Sequence, residues 1–389
     1  MTNLLLLGSG TQAFAVEKSL FELRCRIFVV VSETGNYGDC SKYVHKLFVC
    51  NKLVFSDSFL EHVKYIIVSE GIDVVLPMGD VYAEFLSKNK EELSQLTHIQ
   101  IPDYDIFMKG YDKNQLMSLC NEKGFPHPLT IDLSKTDVDD KSSFKKFPFP
   151  GLLKPNCTTG GRGMTLITDY ENLCQKYPSV HKKYGECHLQ RFIREGGRQI
   201  KVQLYIGEDG SLVVSSVLDK VRWYPVKGGS SCCSVTVRND RIVKICHKIL
   251  KDLKWIGFAD FDTIEDPDTG ELLIMEINPR LPACIGAAVC AGIDWGEVLF
   301  HGALGKSQNK YEYREGVVLR HLGFDFLWFF HSHDRWMAKP SWFHFFGDDV
   351  HYQDFHFDDQ KPFWTGTYHN IKKLFDPSFK NAKSGTSAK

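Results

Sequence analysis

Two short apolar segments near residue 270 constrain this chain most, because both have the length and composition of β-strands and yet carry acidic side chains. The segments are FADFDTI (258–264) and ELLIMEINP (271–279). The DPDTG sequence between them contains Pro and Gly, which are typical of a tight turn. We therefore predict a hairpin centred near residue 268, in which Asp262 and Glu276 are diagonal neighbours about 7–8 Å apart.

The polar side chains of this hairpin predict a metal site. Side chains alternate along a strand, so Glu276 and Asn278 share a face, and Asp262 joins them from the partner strand. Carboxylates within such apolar strands are costly unless they are paired or bind a cation. Two carboxylates and an amide oxygen suit Mg²⁺, and the following Arg280 adds a cation suited to a phosphoryl group. An ordinary solvated sheet face is the alternative.

A lysine followed by a glycine-rich connection is the second signal. GLLKP (151–155) is an apolar strand segment that contains Lys154, and NCTTGGRGM (156–164) then supplies Gly160, Gly161 and Gly163. Glycines let backbone N–H groups approach phosphate oxygens closely, and they let a loop move. No GxxxxGK[ST] sequence occurs, so this is not a P-loop. The pattern predicts a hairpin lid over phosphates, with a simple flexible hairpin as the alternative.

The first 105 residues alternate apolar runs with helix-length segments, which predicts βαβ units and a parallel sheet. The runs are 4–7, 27–31 and 74–76. GSGTQA (8–13) follows the first run, and Glu33 lies 20 residues after its Ala13. This matches a dinucleotide fingerprint, so an NAD-dependent oxidoreductase using Gly8, Gly10, Ala13 and Glu33 is one alternative.

The middle of the chain changes from a helix to strands. Asp112 and Gln115 predict a capped helix start, and Gly124 ends that helix. Residues 132–146 are polar and charged, which predicts a surface loop. Short β-rich segments follow from residue 151, and 241–254 has the spacing of an amphipathic helix.

Composition excludes several classes of protein. Lys and Arg number 47 against 48 Asp and Glu, so no global basic field exists to hold nucleic acid or a membrane, and we expect neither as a partner. No apolar run approaches the ~18 residues that span a bilayer. The N-terminus lacks the pattern of a signal peptide, and twelve scattered cysteines without a CxxC pair predict reduced thiols and a cytoplasmic location.

Aromatic residues concentrate at the C-terminal end. Twenty of the 79 residues from Tyr311 onward are aromatic, and seven of the 15 histidines follow residue 320. Aromatic residues are enriched in interfaces, so a homodimer surface is one expectation. A wall over a substrate pocket and ordinary core packing are the others. His331 and His333 lack a third cluster at ligand spacing, which favours ordinary histidines over a metal site.

In order and spacing, these parts resemble the ATP-grasp ligases, in the branch that includes the carbamoyl-phosphate synthase large chain, biotin carboxylase and D-alanine–D-alanine ligase. The resemblance runs from residue 1 to about 305, and Asp262 with the run 276–280 (EINPR) is its most specific part. It implies an α/β and α+β fold with four parts: a Rossmann-like pre-ATP-grasp domain (1–108), a linker helix and small lid lobe (109–190), a large lobe with the magnesium site (191–308) and an aromatic-rich C-terminal extension (309–389).

The resemblance also implies a role for each site residue. Lys113 and Lys154 would contact the α- and β-phosphates of ATP beneath the glycine lid. Asp262, Glu276 and Asn278 would hold Mg²⁺. The backbone of the hinge strand Gln190, Arg191, Phe192 and Ile193 would bind adenine, and Gln199 would contact the ribose, where the family often has a carboxylate. Arg280 would bind the γ-phosphate and the acyl phosphate. Lys220 and Arg222 would contact the reacting groups.

The implied activity is an ATP-dependent carboxylate–amine (or carboxylate–thiol) ligase acting on small molecules. ATP phosphorylates a carboxylate, and an amine then displaces phosphate to leave an amide. The substrate carboxylate and the γ-phosphate are both anions, and neutralising their charges is the main task of such a site. A nucleotide-binding regulator without ligase activity is a further alternative. Because the family pattern ends where the aromatic bias begins, we expect the segment 311–389 to close the acceptor pocket.

Overall fold

Strands and helices alternate along most of the chain, which gives a mixed α/β fold. The computed structural model describes residues 1–158, 161–226, 229–306 and 309–374. The strands are β1 (Thr2–Leu7), β2 (Cys25–Val31), β3 (Val44–Val49), β4 (Val74–Pro77), β5 (Thr130–Asp132), β6 (Gly151–Pro155), β7 (Thr165–Ile167), β8 (Cys187–Arg191), β9 (Gln199–Ile206), β10 (Leu212–Tyr224), β11 (Ser230–Val237), β12 (Gly257–Glu265), β13 (Leu272–Asn278), β14 (Val318–Arg320) and β15 (Val350–Tyr352). The helices are α1 (Thr11–Glu22), α2 (Asp57–Glu70), α3 (Asp80–Lys88), α4 (Lys90–Leu93), α5 (Tyr104–Tyr111), α6 (Lys113–Lys123), α7 (Tyr170–Tyr184), α8 (Asp240–Leu253), α9 (Gly286–Ala291), α10 (Trp295–Ala303), α11 (Leu322–His331) and α12 (Lys361–Leu374).

The chain divides into two compact units, each assembled from separate stretches of sequence. Unit 1 comprises Met1–Phe107, Lys201–Asp260 and Asn278–Ile371. Unit 2 comprises Met108–Ile200 and Phe261–Ile277, and the residues from Lys372 onward are assigned to it. The finer, four-part division of the sequence stays a prediction.

Unit 1 opens with a parallel sheet of four strands in the order β3-β2-β1-β4. The three apolar runs of the sequence form β1, β2 and β4, and the parallel pairing predicted for them is confirmed. Their residues are almost all buried, as expected for parallel strands covered on both faces. Strand β3 was not predicted, because it is an edge strand without a buried residue and its apolar run, 47–49, is short.

A second sheet has seven strands in the order β13-β12-β9-β10-β11-β14-β15. The two predicted strands around the DPDTG turn are confirmed as neighbours in it. Strands β14 and β15 come from the aromatic-rich part of the chain, and β14 pairs antiparallel with β11. This part of the sequence therefore contributes strands to the second sheet.

The aromatic-rich part of unit 1 is organised around one buried carboxylate. Asp325 accepts hydrogen bonds from Arg222 Nε at 2.7 Å and Nη2 at 3.0 Å, and from Arg320 Nε at 2.7 Å. All three side chains are at most 2% exposed. The guanidinium of Arg320 also lies over the ring of Phe345, and that of Arg222 over Trp328. The rings thus enclose an ion cluster that has one more cation than anion.

The end of unit 1 packs on its beginning. Gln353 Nε2 donates to Thr11 Oγ1 at 2.8 Å, and Ser41 Oγ donates to Asp359 Oδ2 at 2.9 Å. The rings of Phe14 and His356 stack with centroids 4.1 Å apart. These contacts join the start of α1 and the loop after β2 to residues more than 300 positions later.

Unit 2 contains an antiparallel sheet in the order β5-β8-β6-β7. The predicted hairpin around the glycine-rich connection is confirmed, since Gly151 pairs with Ile167 and Leu153 with Thr165. The surface loop predicted for 132–146 is only partly correct. Its Leu133 and Phe144 are buried in the core of this unit, because two apolar side chains in a polar stretch suffice to anchor it.

Helix α6 starts and ends as predicted. The carboxylate of Asp112 accepts from the backbone N–H groups of Asn114 and Gln115, both at 2.9 Å, and Gly124 ends the helix in a left-handed conformation at φ 70°.

All twelve cysteines lie within the described residues and are free thiols. Within the same residues, no helix has both the length and the apolar character needed to cross a bilayer.

Candidate functional site

Two lysines and a carboxylate come together in unit 2. Lys113 is the first residue of α6, and its Nζ lies 3.2 Å from Glu276 Oε2 and donates to the carbonyl oxygen of Thr158 at 2.7 Å. Lys154 on β6 donates through Nζ to Gln190 Oε1 at 2.6 Å. Four residues predicted for the site, from four separate segments, therefore form two polar pairs, and the charges of Glu276 and Lys113 also act on Lys154.

The electrostatics of this network favour an anionic ligand. Lys154 is only 7% exposed, and its burial lowers its pKa to about 8; Glu276 opposes this shift and Lys113 adds to it. Two cations and one carboxylate leave an excess of positive charge beside the buried Lys154. An anion such as a phosphate would stabilise both ammonium groups.

His188 belongs to the same network, and the sequence analysis missed it. It lies opposite Lys154 in the β6–β8 register, and its Nδ1 is 2.9 Å from Asn156 Oδ1. Burial, with the charge of Lys154, lowers its pKa to about 3, so the ring stays neutral. Strand alternation could have found it, because His188 and Gln190 point to the same face of β8.

The hinge strand is held at its end by a second ion pair. Arg191 Nη2 lies 2.5 Å from Asp266 Oδ2, and this hydrogen bond lowers the pKa of Asp266. The backbone N–H of Phe192 donates to the carbonyl of Pro150 at 3.1 Å, and Ile193 is buried. The partner of Arg191 is a residue of the DPDTG turn that the sequence analysis assigned only to chain reversal.

The donor chemistry of the predicted metal ligands fits Mg²⁺. Asp262 on β12 and Glu276 on β13 lie on neighbouring strands, and Asn278 follows two residues later in the chain. The described residues contain no cluster of three His, Cys, Asp or Glu side chains able to hold a metal by itself. Mg²⁺ does not need one, since it usually takes one or two carboxylates and completes its shell with phosphate and water.

The glycine-rich connection is partly described. Gly160 lies outside the described residues. Gly161 and Gly163 have φ angles of 72° and 77°, in the region that favours glycine. A Cβ on Gly163 would lie 2.8 Å from atoms of Pro155 and Tyr184, so this position also lacks room for a side chain. The lid role stays a prediction.

In unit 1, Arg280 is held by an acidic partner. Its Nε and Nη2 atoms each lie 3.1 Å from an oxygen of Asp80, the first residue of α3. Such a two-point contact fixes the plane of the guanidinium. The pairing of Asp80 with Arg280 was not predicted from the sequence.

The two remaining predicted cations lie on β10. The Nε and Nη2 atoms of Arg222 bind Asp325, and its Nη1 donates to the carbonyl of Pro340 at 2.8 Å. This placement fits a structural role for Arg222 better than the predicted contact with a reacting group. Lys220 is half-buried on the same strand, and Gln199 begins β9. Their predicted roles stay predictions.

Residues of the C-terminal part of the chain lie against those of the dinucleotide alternative. Glu33 Oε1 lies 3.4 Å from His369 Nε2, so the carboxylate expected to bind a ribose has a partner within the chain. Thr11 at the start of α1 is likewise bonded to Gln353. The segment 8–13 therefore connects a strand to a helix, as expected in a parallel αβ unit. Residues of the C-terminal part of unit 1 occupy the space around it.

The sequence of the chain matches a known family of ATP-binding domains. Residues 112–306 match the family model described as the carbamoyl-phosphate synthase L chain, ATP binding domain. The match spans half of the chain and contains Lys113, Lys154, the hinge strand and the carboxylates. The chain belongs to this family.

Curated relatives agree with this assignment. A D-aspartate ligase of Enterococcus faecium is 25% identical over 224 residues, which cover 53% of this chain and 53% of the relative. The C-terminal section of a carbamoyl phosphate synthase large chain of Methanopyrus kandleri is 24% identical over 181 residues, covering 43% and 32%. The chain thus spans about half or less of these relatives.

Solved structures share the fold. A biotin carboxylase–β-γ-ATP complex from Campylobacter jejuni superposes with a TM-score of 0.69 at 17% identity, covering 82% of this chain and 74% of that one. An N5-carboxyaminoimidazole synthetase from Staphylococcus aureus complexed with ADP gives 0.65 at 14% identity, covering 82% and 81%. These likenesses confirm the predicted ATP-grasp-like α/β fold.

Proposed function

We propose that this chain is an ATP-dependent carboxylate–amine ligase that works through an acyl phosphate with Mg²⁺. The observation that carries the proposal is the 3.2 Å contact of Lys113 with Glu276, a carboxylate whose charge also acts on the buried Lys154. Two desolvated cations beside one carboxylate suit a nucleotide polyphosphate, with the carboxylate as a ligand to its metal.

ATP would lie along unit 2. Lys113 and Lys154 would neutralise the α- and β-phosphates, and backbone N–H groups of the glycine-rich connection would approach the same oxygens. The adenine would bind the backbone of 190–193, and Gln199 would face the ribose. Asp262, Glu276 and Asn278 would hold Mg²⁺, which supplies charge neutralisation at the transferring phosphoryl group.

The reaction then has two balanced steps. A substrate carboxylate oxygen bonds to the γ-phosphorus while the bond to the bridging β–γ oxygen breaks, which releases ADP. An amine nitrogen next bonds to the acyl carbon, phosphate leaves, and the nitrogen gives up a proton. Arg280, oriented by Asp80, would stabilise the charge on the transferring phosphoryl group and on the acyl phosphate.

The substrates are proposed only as a class. The likeness to a D-aspartate ligase supports an amino acid as one of the two substrates. The aromatic-rich segment remains our candidate for acceptor recognition, and a homodimer and a cytoplasmic location remain predictions.

A screen for ADP release tests the proposal. The full chain with MgATP would be offered pooled carboxylates and amines, with amino acids first. ADP release that requires one carboxylate and one amine together is the expected result. MgATP binding without ADP release from any pool would favour a nucleotide-binding regulator, and thermal stabilisation by NAD alone would favour the oxidoreductase.

The low pKa of Lys154 predicts a pH-dependent nucleotide affinity. Lys154 is charged below pH 8 and loses its proton as the pH rises through about 8, so MgATP affinity should fall about tenfold between pH 7 and 9. Stability should change in the opposite direction. In the unfolded chain this lysine keeps its proton up to about pH 10.4, so the unfolded state binds more protons than the native state over this range. The free energy of unfolding therefore rises with pH.

Calorimetric titration with MgADP at several pH values measures this effect. Lys154→Arg keeps its charge throughout and should show a flat profile. A decline of equal size in that variant would assign the pH dependence to another group.

A further inference from the structure

The last helix of the described chain presents an apolar face to solvent. Helix α12 is anchored by its inner side, where Asn370 Nδ2 donates to Tyr37 OH at 3.1 Å and the ring of Phe363 lies 5.4 Å from that of Phe355. On its outer side Trp364, Tyr368 and Ile371 are 66%, 71% and 48% exposed. Their spacing of four and three residues places them on one arc of the helix.

Lysines border this apolar arc. At 3.6 residues per turn, Lys361 and Lys372 fall beside it on one edge, and both are exposed. The helix has no acidic residue between Lys361 and Leu374. Its outer face therefore combines a tryptophan, a tyrosine and an aliphatic side chain with cations, which is the composition of helices that lie in a membrane interface.

The charge of the chain is distributed unevenly. Residues 361–389 contain six lysines and one aspartate, whereas the preceding 360 residues carry 41 basic and 47 acidic side chains. The balanced total, from which the sequence analysis expected no membrane partner, conceals this basic end. Basic residues next to an interfacial helix are attracted to anionic lipid, at about 1 kcal/mol for each Lys or Arg near the surface.

We infer that the outer face of α12, with Lys361 and Lys372 at its edge, binds the surface of a bilayer containing anionic phospholipids. The charge complementarity selects this occupant over a second copy of the chain, because two copies meeting through α12 would bring lysines against lysines. The excess of basic residues also distinguishes α12 from the other exposed aromatic surface of unit 1. There, Trp336 and Phe346 lie in a stretch (331–349) with two basic and three acidic side chains besides its histidines.

Vesicle cosedimentation of the full chain tests this inference. The probes are vesicles of phosphatidylcholine alone and of phosphatidylcholine with about one third phosphatidylglycerol. We expect at least about tenfold stronger partitioning onto the anionic vesicles, and weaker binding as NaCl rises. The double variant Trp364→Ala, Tyr368→Ala should lose about tenfold or more of this binding.

Matched variants separate this face from general stickiness. Trp336→Ala with Phe346→Ala removes the same kind of exposed aromatic area elsewhere and should leave partitioning unchanged. The Trp364→Phe variant should still bind the anionic vesicles. Brominated lipid should quench less of its tryptophan fluorescence, because the contribution of Trp364 is absent.

Several results would overturn the inference. They are equal partitioning onto neutral and anionic vesicles, unchanged binding by the α12 double variant, and a concentration-dependent dimer that this variant dissociates while vesicles do not bind. Binding of double-stranded DNA in preference to vesicles would assign the basic end to nucleic acid instead. None of the substituted residues belongs to the proposed ATP and Mg²⁺ site, and the inference does not rest on the proposed function, so failure here leaves the ADP-release experiment unaffected.

Discussion

Glu276→Ala should abolish ADP release while the protein stays folded. Glu276 is the carboxylate within ion-pair distance of Lys113, and in the proposed function it is a ligand to Mg²⁺. Its removal takes away that ligand and leaves the charge of the transferring phosphoryl group incompletely neutralised. We expect turnover to fall by about 10²–10³-fold or more, the size of effect seen when one electrostatic contact to a transition state is lost.

The same variant should behave differently in nucleotide binding. Without Mg²⁺, the carboxylate repels ADP and partly neutralises the lysines, so its removal should raise the affinity for metal-free ADP. With Mg²⁺ present, the affinity should fall. This opposite response distinguishes a metal ligand from a residue that only supports the fold.

Glu271→Gln is the matched control, because Glu271 is an exposed acid near the start of the same strand. It should keep wild-type turnover and the wild-type response to Mg²⁺. Normal ADP release by Glu276→Ala, or an equal loss in both variants, would refute the metal assignment.

Asp325→Ala should cause the largest loss of stability. Its carboxylate binds both Arg222 and Arg320, and these side chains are at most 2% exposed. Without it, two buried guanidinium groups remain without their anion, and breaking a buried pair in this way costs about 3–5 kcal/mol. The backbone N–H of Gln353 donates to the carbonyl of Arg320 at 2.7 Å, so the loss should extend to the end of unit 1.

Urea denaturation followed by tryptophan fluorescence measures this loss. All seven tryptophans of the sequence lie in unit 1, so the signal reports on that unit. Asp334→Asn changes an exposed acid in the same segment and should shift stability by no more than about 0.5 kcal/mol. A change below about 1 kcal/mol for Asp325→Ala would contradict the view that this ion cluster organises the aromatic segment.

Features that depend on neighbouring residues were predictable from the sequence. The start of α6 follows from Asp112 alone, and the hairpin of β6 and β7 follows from an apolar run, three glycines and a second β-rich run. The edge strand β3 was missed because its apolar run, 47–49, is short and none of its residues is buried. The buried Leu133 and Phe144 were missed because tertiary contacts decide whether isolated apolar residues are buried.

Contacts between distant residues were not predictable from one sequence. The motif residues Arg222 and Arg280 were found, but their partners Asp325 and Asp80 lie 103 and 200 positions away. No local pattern specifies such a pair. The structure thus identifies the acidic partner of each cation. For Arg222 that partner indicates a structural role, whereas the sequence predicted contact with the reacting groups.

The contacts between the two ends of unit 1 have a consequence during synthesis. Thr11 and Gln353 are 342 positions apart, and Ser41 and Asp359 are 318 apart. A ribosome adding ~5–20 residues per second needs roughly 20–70 s to make the chain between them. For that time the surface around α1 lacks the residues that later cover it, while the intervening unit 2 already has most of its sequence. Unit 2 can therefore begin to fold before unit 1 is complete, and the surface around α1 stays uncovered until the last residues of unit 1 are made.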